Sequence, residues 1–220
     1  MNRLIALDLD GTLEDSRDDM TAAAHRVRAQ LGLPAREDAA LRTWVNGGMD
    51  QLYAKCFDDF INGDKARVAP VREAYEADYM ANVAVATRLY DGIAPALREL
   101  SELGVLACVT NKPERISRHL LDQLGVGSLF GTVVGGDSCA QAKPHPMMLS
   151  AAAERLGFDR QRGATFMIGD TAADMQLASS FGAMGIWVGW GYVASIDAPY
   201  DFRAAEPAEL PMLVARASLR

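Results

Sequence analysis

Four times in succession between residues 93 and 182, an amphipathic stretch closes on a hydrophobic residue and a glycine and gives way to a short apolar run. The stretches are IAPALRELSELG (93–104), PERISRHLLDQLG (113–125), HPMMLSAAAERLG (145–157) and TAADMQLASSFG (171–182). The runs are VLACVTN (105–111), TVVGGD (132–137), ATFMIGD (164–170) and AMGIWVGW (183–190), and a fifth, RLIALDL (3–9), precedes them all. Each closing Gly suits the left-handed position that ends a helix. Runs this apolar, without alternation, suit strands covered on both faces. Strands alternating with helices of this length build an α/β fold with an open parallel sheet flanked by helices.

One segment breaks the rhythm. Residues 15–88 carry helical patterns, DDMTAAAHRVRAQLG (18–32), EDAALRTWV (37–45), DQLYAKCFDDFI (50–61) and VREAYEADYMANV (71–83), and no buried-strand pattern. The expectation is therefore a Rossmann-like core from residues 1–14 and 89–220, with an all-helical domain over 15–88 inserted after the first strand. Asp15 to Ser16 and Arg88 to Gly92 would be the two crossings of a hinge.

Composition narrows the partner. The net charge of −7 argues against nucleic acid or an anionic membrane, whose binders cluster Lys and Arg. Cys56, Cys108 and Cys139 are odd in number and have no CxxC spacing, as expected for reduced thiols in a cytosol. The chain starts directly in a strand pattern and contains no segment long enough to span a bilayer, so a cytoplasmic location and a small-molecule partner are expected.

Ligands of open parallel sheets bind beyond the carboxyl ends of the strands. There the first strand delivers Asp8 and Asp10, the second Thr110 and Asn111, and the fourth Gly169 and Asp170, while Lys143 precedes a helix and Asp174 lies one turn into another. Four carboxylates in one cleft repel unless cations intervene. Asp8, Asp10, Asp170 and Asp174 suit Mg²⁺, which takes a few carboxylates, waters and phosphate oxygens, and Lys143 adds a fixed charge. Thr110 and the N–H groups near Gly11 and Thr12 are expected on phosphate oxygens. With carboxylates at i and i+2, Asp8 is the candidate nucleophile and Asp10 the candidate acid and base.

DLDGTLEDS (8–16), TNKP (110–113), KPHP (143–146) and GDTAAD (169–174) resemble the four ordered motifs of the haloacid dehalogenase superfamily of phosphohydrolases. VTNKP, LLDQLGV, FGTVVGGDS, VGWGY (188–192) and LRTWVNGGMDQL (41–52) are similar to its bacterial phosphoglycolate phosphatase group. The resemblance implies Asp8 as nucleophile and metal ligand, and Asp10 as acid/base with its carbonyl on the metal. It further implies Thr110 and Lys143 on the phosphate, Asp170 as metal ligand, and Asp174 as metal ligand or its neighbour. The helical insert would be a cap that opens for a small phosphate ester, with 2-phosphoglycolate the leading candidate and sugar phosphates, nucleotides and pyrophosphate behind it, in a monomer or homodimer.

Plainer readings compete at single residues. A lone DxD is usually a turn, Asp170 with Thr171 a helix cap, and an isolated lysine a solvated one. His25 and His119 read as surface or packing residues, His145 as a supporting one, and Trp187 and Trp190 as packing. Asn46 and Gly47 are candidate substrate contacts on a loop that includes Gly48, and Arg42 reads as solvated. A carbon-attacking dehalogenase would leave Asp10, Asp170 and Lys143 idle. A phosphomutase must shield its aspartyl-phosphate from water, and a phosphonate hydrolase resembles relatives with another residue at position 10. A receiver-like phospho-acceptor lacks a helical insert and a use for the second aspartate.

Overall fold

The computed structural model describes residues 2–45 and 48–217, apart from the side chain of Asp50. Its strands are β1 (Arg3–Leu7), β2 (Glu14–Asp15), β3 (Arg88–Leu89), β4 (Val105–Val109), β5 (Phe130–Val134), β6 (Ala164–Gly169), β7 (Met184–Val188) and β8 (Phe202–Ala204). Its helices are α1 (Arg17–Gln30), α2 (Asp38–Val45), α3 (Met49–Cys56), α4 (Asp58–Ile61), α5 (Val68–Ala81), α6 (Ile93–Leu103), α7 (Glu114–Gln123), α8 (Met147–Arg155), α9 (Ala172–Phe181) and α10 (Leu210–Ala217). The chain divides into two compact units, Met1–Asp15 with Leu89–Arg220, and Ser16–Arg88.

The first unit is built on a six-stranded parallel sheet in the order β5-β4-β1-β6-β7-β8. All five residues of β1 are buried, as its unbroken apolar run requires of a central strand. The connections leave β1 toward β4 on one side and resume at β6 on the other, so the order reverses at β1. That reversal is where an open sheet leaves a crevice at its carboxyl edge. Leu7 is level with Cys108 on β4 and Ile168 on β6, so Asp8, Thr110 and Asp170 emerge side by side. One side of the sheet is sealed by residues such as Met148 and Leu149 of α8 and Leu177 and Phe181 of α9, packed on Leu4, Ala6 and Met167.

Three boundaries differ from the sequence expectations. The third core strand ends at Val134 and not at Asp137. A Cβ on Gly135 would lie 2.1 Å from Glu114 N and one on Gly136 2.4 Å from Asn111 O, so this pair exists to let the 111–114 turn pass. The helix expected over 50–61 breaks at Phe57 (φ −132°, ψ 25°) into α3 and α4. The strand β8 and helix α10 lie beyond the last expected element; three residues flanked by polar sequence carry too little periodicity to be read as a strand.

The described residues of the second unit are helical or loop apart from Arg88, the first residue of β3, and the short strands β2 and β3 pair where the chain passes from one unit to the other. Tyr75 packs at its centre against Tyr53, Phe57 and Tyr79, with ring centroids 5.8, 6.4 and 5.9 Å away. Asp19 on α1 accepts the N–H groups of Ala86 and Thr87 and the Thr87 hydroxyl at 2.7–2.9 Å, tying the start of the unit to its end. Arg28, 1% exposed, donates to Pro34 O at 2.7 and 3.0 Å and to both oxygens of Asp59 at 2.9 and 2.6 Å. Hydrogen bonds from Arg28 lead the causes that outweigh partial burial and hold the Asp59 carboxyl down at about 2. A depressed carboxyl contributes stability above its unfolded value of 3.8 and loses it as pH falls toward 2. Asp59→Asn is expected to lower stability by about 1–3 kcal/mol at pH 7, because it strands donors of a buried guanidinium. Thermal unfolding of both proteins should show that deficit shrinking below about pH 4; a pH-independent deficit contradicts it.

Candidate active site

Asp8 continues β1, its N–H bonded to Ile168 O at 2.9 Å, and its residue is only 6% exposed. Asp170 follows β6 and Asp174 sits in the first turn of α9, both fully buried. The three carboxylates each bring an oxygen within 4.8 Å of the others. Lys143 Nζ lies 2.7 Å from Asp8 Oδ1 and 2.7 Å from Asp174 Oδ1. The other Asp174 oxygen accepts Thr171 N at 3.0 Å and Thr171 Oγ1 at 2.6 Å, in a capping box. The helix cap and the acidic cluster therefore use one residue for both ends.

Asp170 is braced from several directions. Tyr192 N donates to its Oδ2 at 2.8 Å, Thr12 Oγ1 to its Oδ1 at 3.4 Å, and Trp187 Nε1 to its carbonyl at 3.0 Å. Trp190 Nε1 donates to Thr12 O at 3.0 Å. Both tryptophans thus do more than pack. Gly11 has φ +79°, and a Cβ there would meet Asp170 Oδ2 at 2.5 Å; a Cβ on Gly191 would meet Asp170 Cβ at 2.2 Å. Only glycine lets backbone come this close to the carboxylate.

The electrostatics follow from three carboxylates sharing one ammonium. Burial first, then Asp174, pushes the Asp8 carboxyl up to about 8, against the pull of Lys143. Burial and Asp174 likewise raise Asp170 to about 6. Burial works against the Lys143 ammonium, but Asp174 and Asp8 outweigh it and hold its pKa above the ordinary lysine range. With all three carboxylates ionised the buried cluster of hard oxygens carries two negative charges beyond Lys143, which a small divalent ion fits.

The remaining sequence candidates divide. Asp10 stands outside the cluster, its side chain 22% exposed and paired with Lys112. Thr110 is buried, and its Oγ1 accepts Lys112 N at 3.2 Å. Asn111 is engaged with the Lys143 backbone, accepting its N–H at 3.0 Å and donating to its carbonyl at 3.5 Å, so its side chain serves the scaffold. The N–H groups of Gly11 and Thr12, expected on phosphate, close the turn on Glu14 O at 3.0 Å and Leu9 O at 3.2 Å. Asn46 and Gly47 lie outside the described residues. Arg42 pairs with Asp18 at the surface, and His25 Nε2 lies 2.7 Å from Asp38 Oδ1. His145 Nδ1 accepts Met147 N at 3.2 Å, at the start of α8. Sequence reasoning missed Lys112, although it stands in the same TNKP turn as Thr110, and the Tyr192 backbone, although Trp-Gly-Tyr signalled a close approach.

A family model described as haloacid dehalogenase-like hydrolase matches residues 2–182. The chain belongs to the haloacid dehalogenase-like hydrolases. Within that family it is 35% identical over 193 residues to a phosphoglycolate phosphatase of Pseudomonas putida, covering 86% of this chain and 70% of that one. It is 32% identical over 213 residues to a phosphoglycolate phosphatase of Aquifex aeolicus, covering 96% of each. A crystal structure of a predicted phosphoglycolate phosphatase from Haemophilus somnus superposes with a TM-score of 0.82 at 25% identity, over 96% of both chains. The likeness in fold, over 96% of the chain, thus extends beyond residue 182, where the family model ends.

Proposed function

We propose that the chain is a Mg²⁺-dependent phosphomonoesterase that works through an aspartyl-phosphate on Asp8 and takes 2-phosphoglycolate. The observation that carries this reading is the buried Asp8, Asp170 and Asp174 cluster at the point of sheet reversal, with Lys143 as its only ammonium among the described contacts. The substrate rests on the relatives named phosphoglycolate phosphatase at 32–35% identity.

Asp8, Asp170 and Asp174, with the Asp10 carbonyl, would hold the Mg²⁺. Bound there, the ion supplies charge that neutralises the carboxylates and stabilises a transferring phosphoryl group. Asp8, then ionised, attacks phosphorus in line with the departing ester oxygen. Lys143 orients Asp8 and offers positive charge to the phosphoryl oxygens. Thr110, whose oxygen already accepts from Lys112 N, directs its O–H to a phosphoryl oxygen. Asp10 gives its proton to the leaving alkoxide and takes one from the water that cleaves the aspartyl-phosphate. The helical unit acts as a cap that excludes bulk water during both steps. Among the described residues no helix is long and apolar enough to cross a membrane, and Cys56, Cys108 and Cys139 are free thiols.

The test is phosphate release from 2-phosphoglycolate, sugar phosphates, nucleotides and pyrophosphate, with Mg²⁺ or with chelator. Metal-dependent release greatest from 2-phosphoglycolate is expected, and release below background from every ester contradicts the reading. Metal binding should also track pH. Asp8 and Asp170 have folded values raised above 3.8, so their contribution to the metal-free fold is present at low pH and is lost as pH rises through about 6 and 8. Mg²⁺ relieves that loss and displaces the protons, so its stabilisation grows with pH. Melting with and without Mg²⁺ should show a larger metal-induced shift at pH 8 than at pH 6; equal shifts contradict the charge assignment.

A further inference from the structure

Lys112 is a buried ammonium that the mechanism above leaves without a task. Its side chain is 1% exposed, and its Nζ pairs with Asp10 Oδ1. Taking an ammonium out of water is unfavourable unless its partner and geometry compensate. A Met of similar reach would fill the same space without that penalty. The fold nevertheless fixes the lysine tightly. Its N–H donates to Thr110 Oγ1 at 3.2 Å, and its carbonyl accepts Gly136 N at 3.1 Å. Gly135 and Gly136 carry no side chain because a Cβ would strike the 111–114 turn, at 2.7 Å from Lys112 O in the case of Gly135. The turn that presents Thr110 therefore also sets the direction of the Lys112 side chain, toward Asp10, which stands outside the acidic cluster.

We propose that Lys112 is a positioning residue for the proton transfers of Asp10, a role that rests on the phosphatase reading above. In the first half-reaction an Asp8 oxygen bonds to phosphorus as the ester P–O bond breaks, and the Asp10 proton passes to the departing oxygen. In the second, the water oxygen bonds to phosphorus, the Asp8–phosphorus link breaks, and the water proton returns to Asp10. An ammonium anchored on Oδ1 holds the carboxyl plane, so that its proton meets the ester oxygen on one pass and the water on the next. Asp10 is partly exposed, and losing the ammonium on Oδ1 widens the range of carboxyl rotamers, of which few are productive.

The test separates positioning from a merely structural role by changing the leaving group. An alkoxide needs a proton to depart, whereas p-nitrophenolate does not, and kcat/KM reports only the steps through departure. K112M is expected to lower kcat/KM about 100-fold on 2-phosphoglycolate and less than about 5-fold on p-nitrophenyl phosphate. D10N with K112M should lose no more than D10N alone on 2-phosphoglycolate, since the lysine acts through the aspartate. Circular dichroism melting checks that each variant is folded, and K112Q replaces K112M if the latter is not. Equal losses on the two esters, no loss on either, or a further loss in the double variant overturns the role of Lys112 while leaving the phosphatase reading intact. A wild-type protein that hydrolyses neither ester overturns that reading, and the role of Lys112 with it.

Discussion

Replacing Asp8 by Asn is expected to lower turnover of any phosphomonoester by about 10⁴-fold or more, the scale seen when a nucleophile acting as part of a unit is removed. The amide occupies the space of the carboxylate and still accepts from Lys143, so the loss reports chemistry and not collapse. Stability should move the other way. Burial and the charges of Asp174 and Asp170 oppose ionisation of Asp8 in the metal-free site, pushing its carboxyl to about 8. Removing that charge relieves the opposition, so the metal-free Asp8→Asn protein should melt higher than wild type at pH 8. Each kcal/mol gained corresponds to about 2–4 °C for a chain of this size. A variant that loses activity and melts lower at pH 8 contradicts the assignment of Asp8 as a strained, functional carboxylate.

Lys143→Met is expected to have the opposite sign in stability. Lys143 is the ammonium between Asp8 and Asp174, 2.7 Å from each, and both carboxylates are buried. Removing one partner of a buried ion pair leaves charge without compensation and is destabilising by about 3–5 kcal/mol. The variant should melt lower than wild type without metal, and Mg²⁺ should restore more of the difference than it adds to wild type. Turnover should fall by about 10²–10³-fold, the loss typical of removing one group that stabilises transition-state charge. Melting curves with and without Mg²⁺ decide the first point, and kcat with saturating Mg²⁺ the second. A variant as stable as wild type means that Lys143 is not the counter-charge of the cluster.

These two residues show what the sequence made legible. The buried run before Asp8, the left-handed Gly125, Gly157 and Gly182 after three helices and the acid pair at Asp170 and Asp174 each carry a strong local signal written in neighbouring residues, whereas Gly104, expected left-handed, is extended (φ −175°) and is required by its approach to Arg3 O. Their convergence needed only the rule that an open sheet presents its carboxyl edge. Contacts made across the fold were less legible. That Trp190 reaches Thr12, that Tyr192 N reaches Asp170, and that Lys112 turns to Asp10 depend on register between segments far apart in the chain. The Gly11 and Thr12 N–H groups, expected on phosphate oxygens, bond Glu14 O and Leu9 O, since a tight turn engages its own donors. β8 escaped notice because three residues at a sheet edge leave no period to detect.

The central claim is that phosphate passes through a covalent bond to Asp8. Acid-quenching the protein during turnover of 2-phosphoglycolate, reducing the acyl phosphate with borohydride and sequencing the peptides by mass spectrometry tests it directly. The predicted result is homoserine in place of aspartate at position 8, dependent on substrate. Phosphate release at full rate with residue 8 unmodified, or with the label on another side chain, contradicts it.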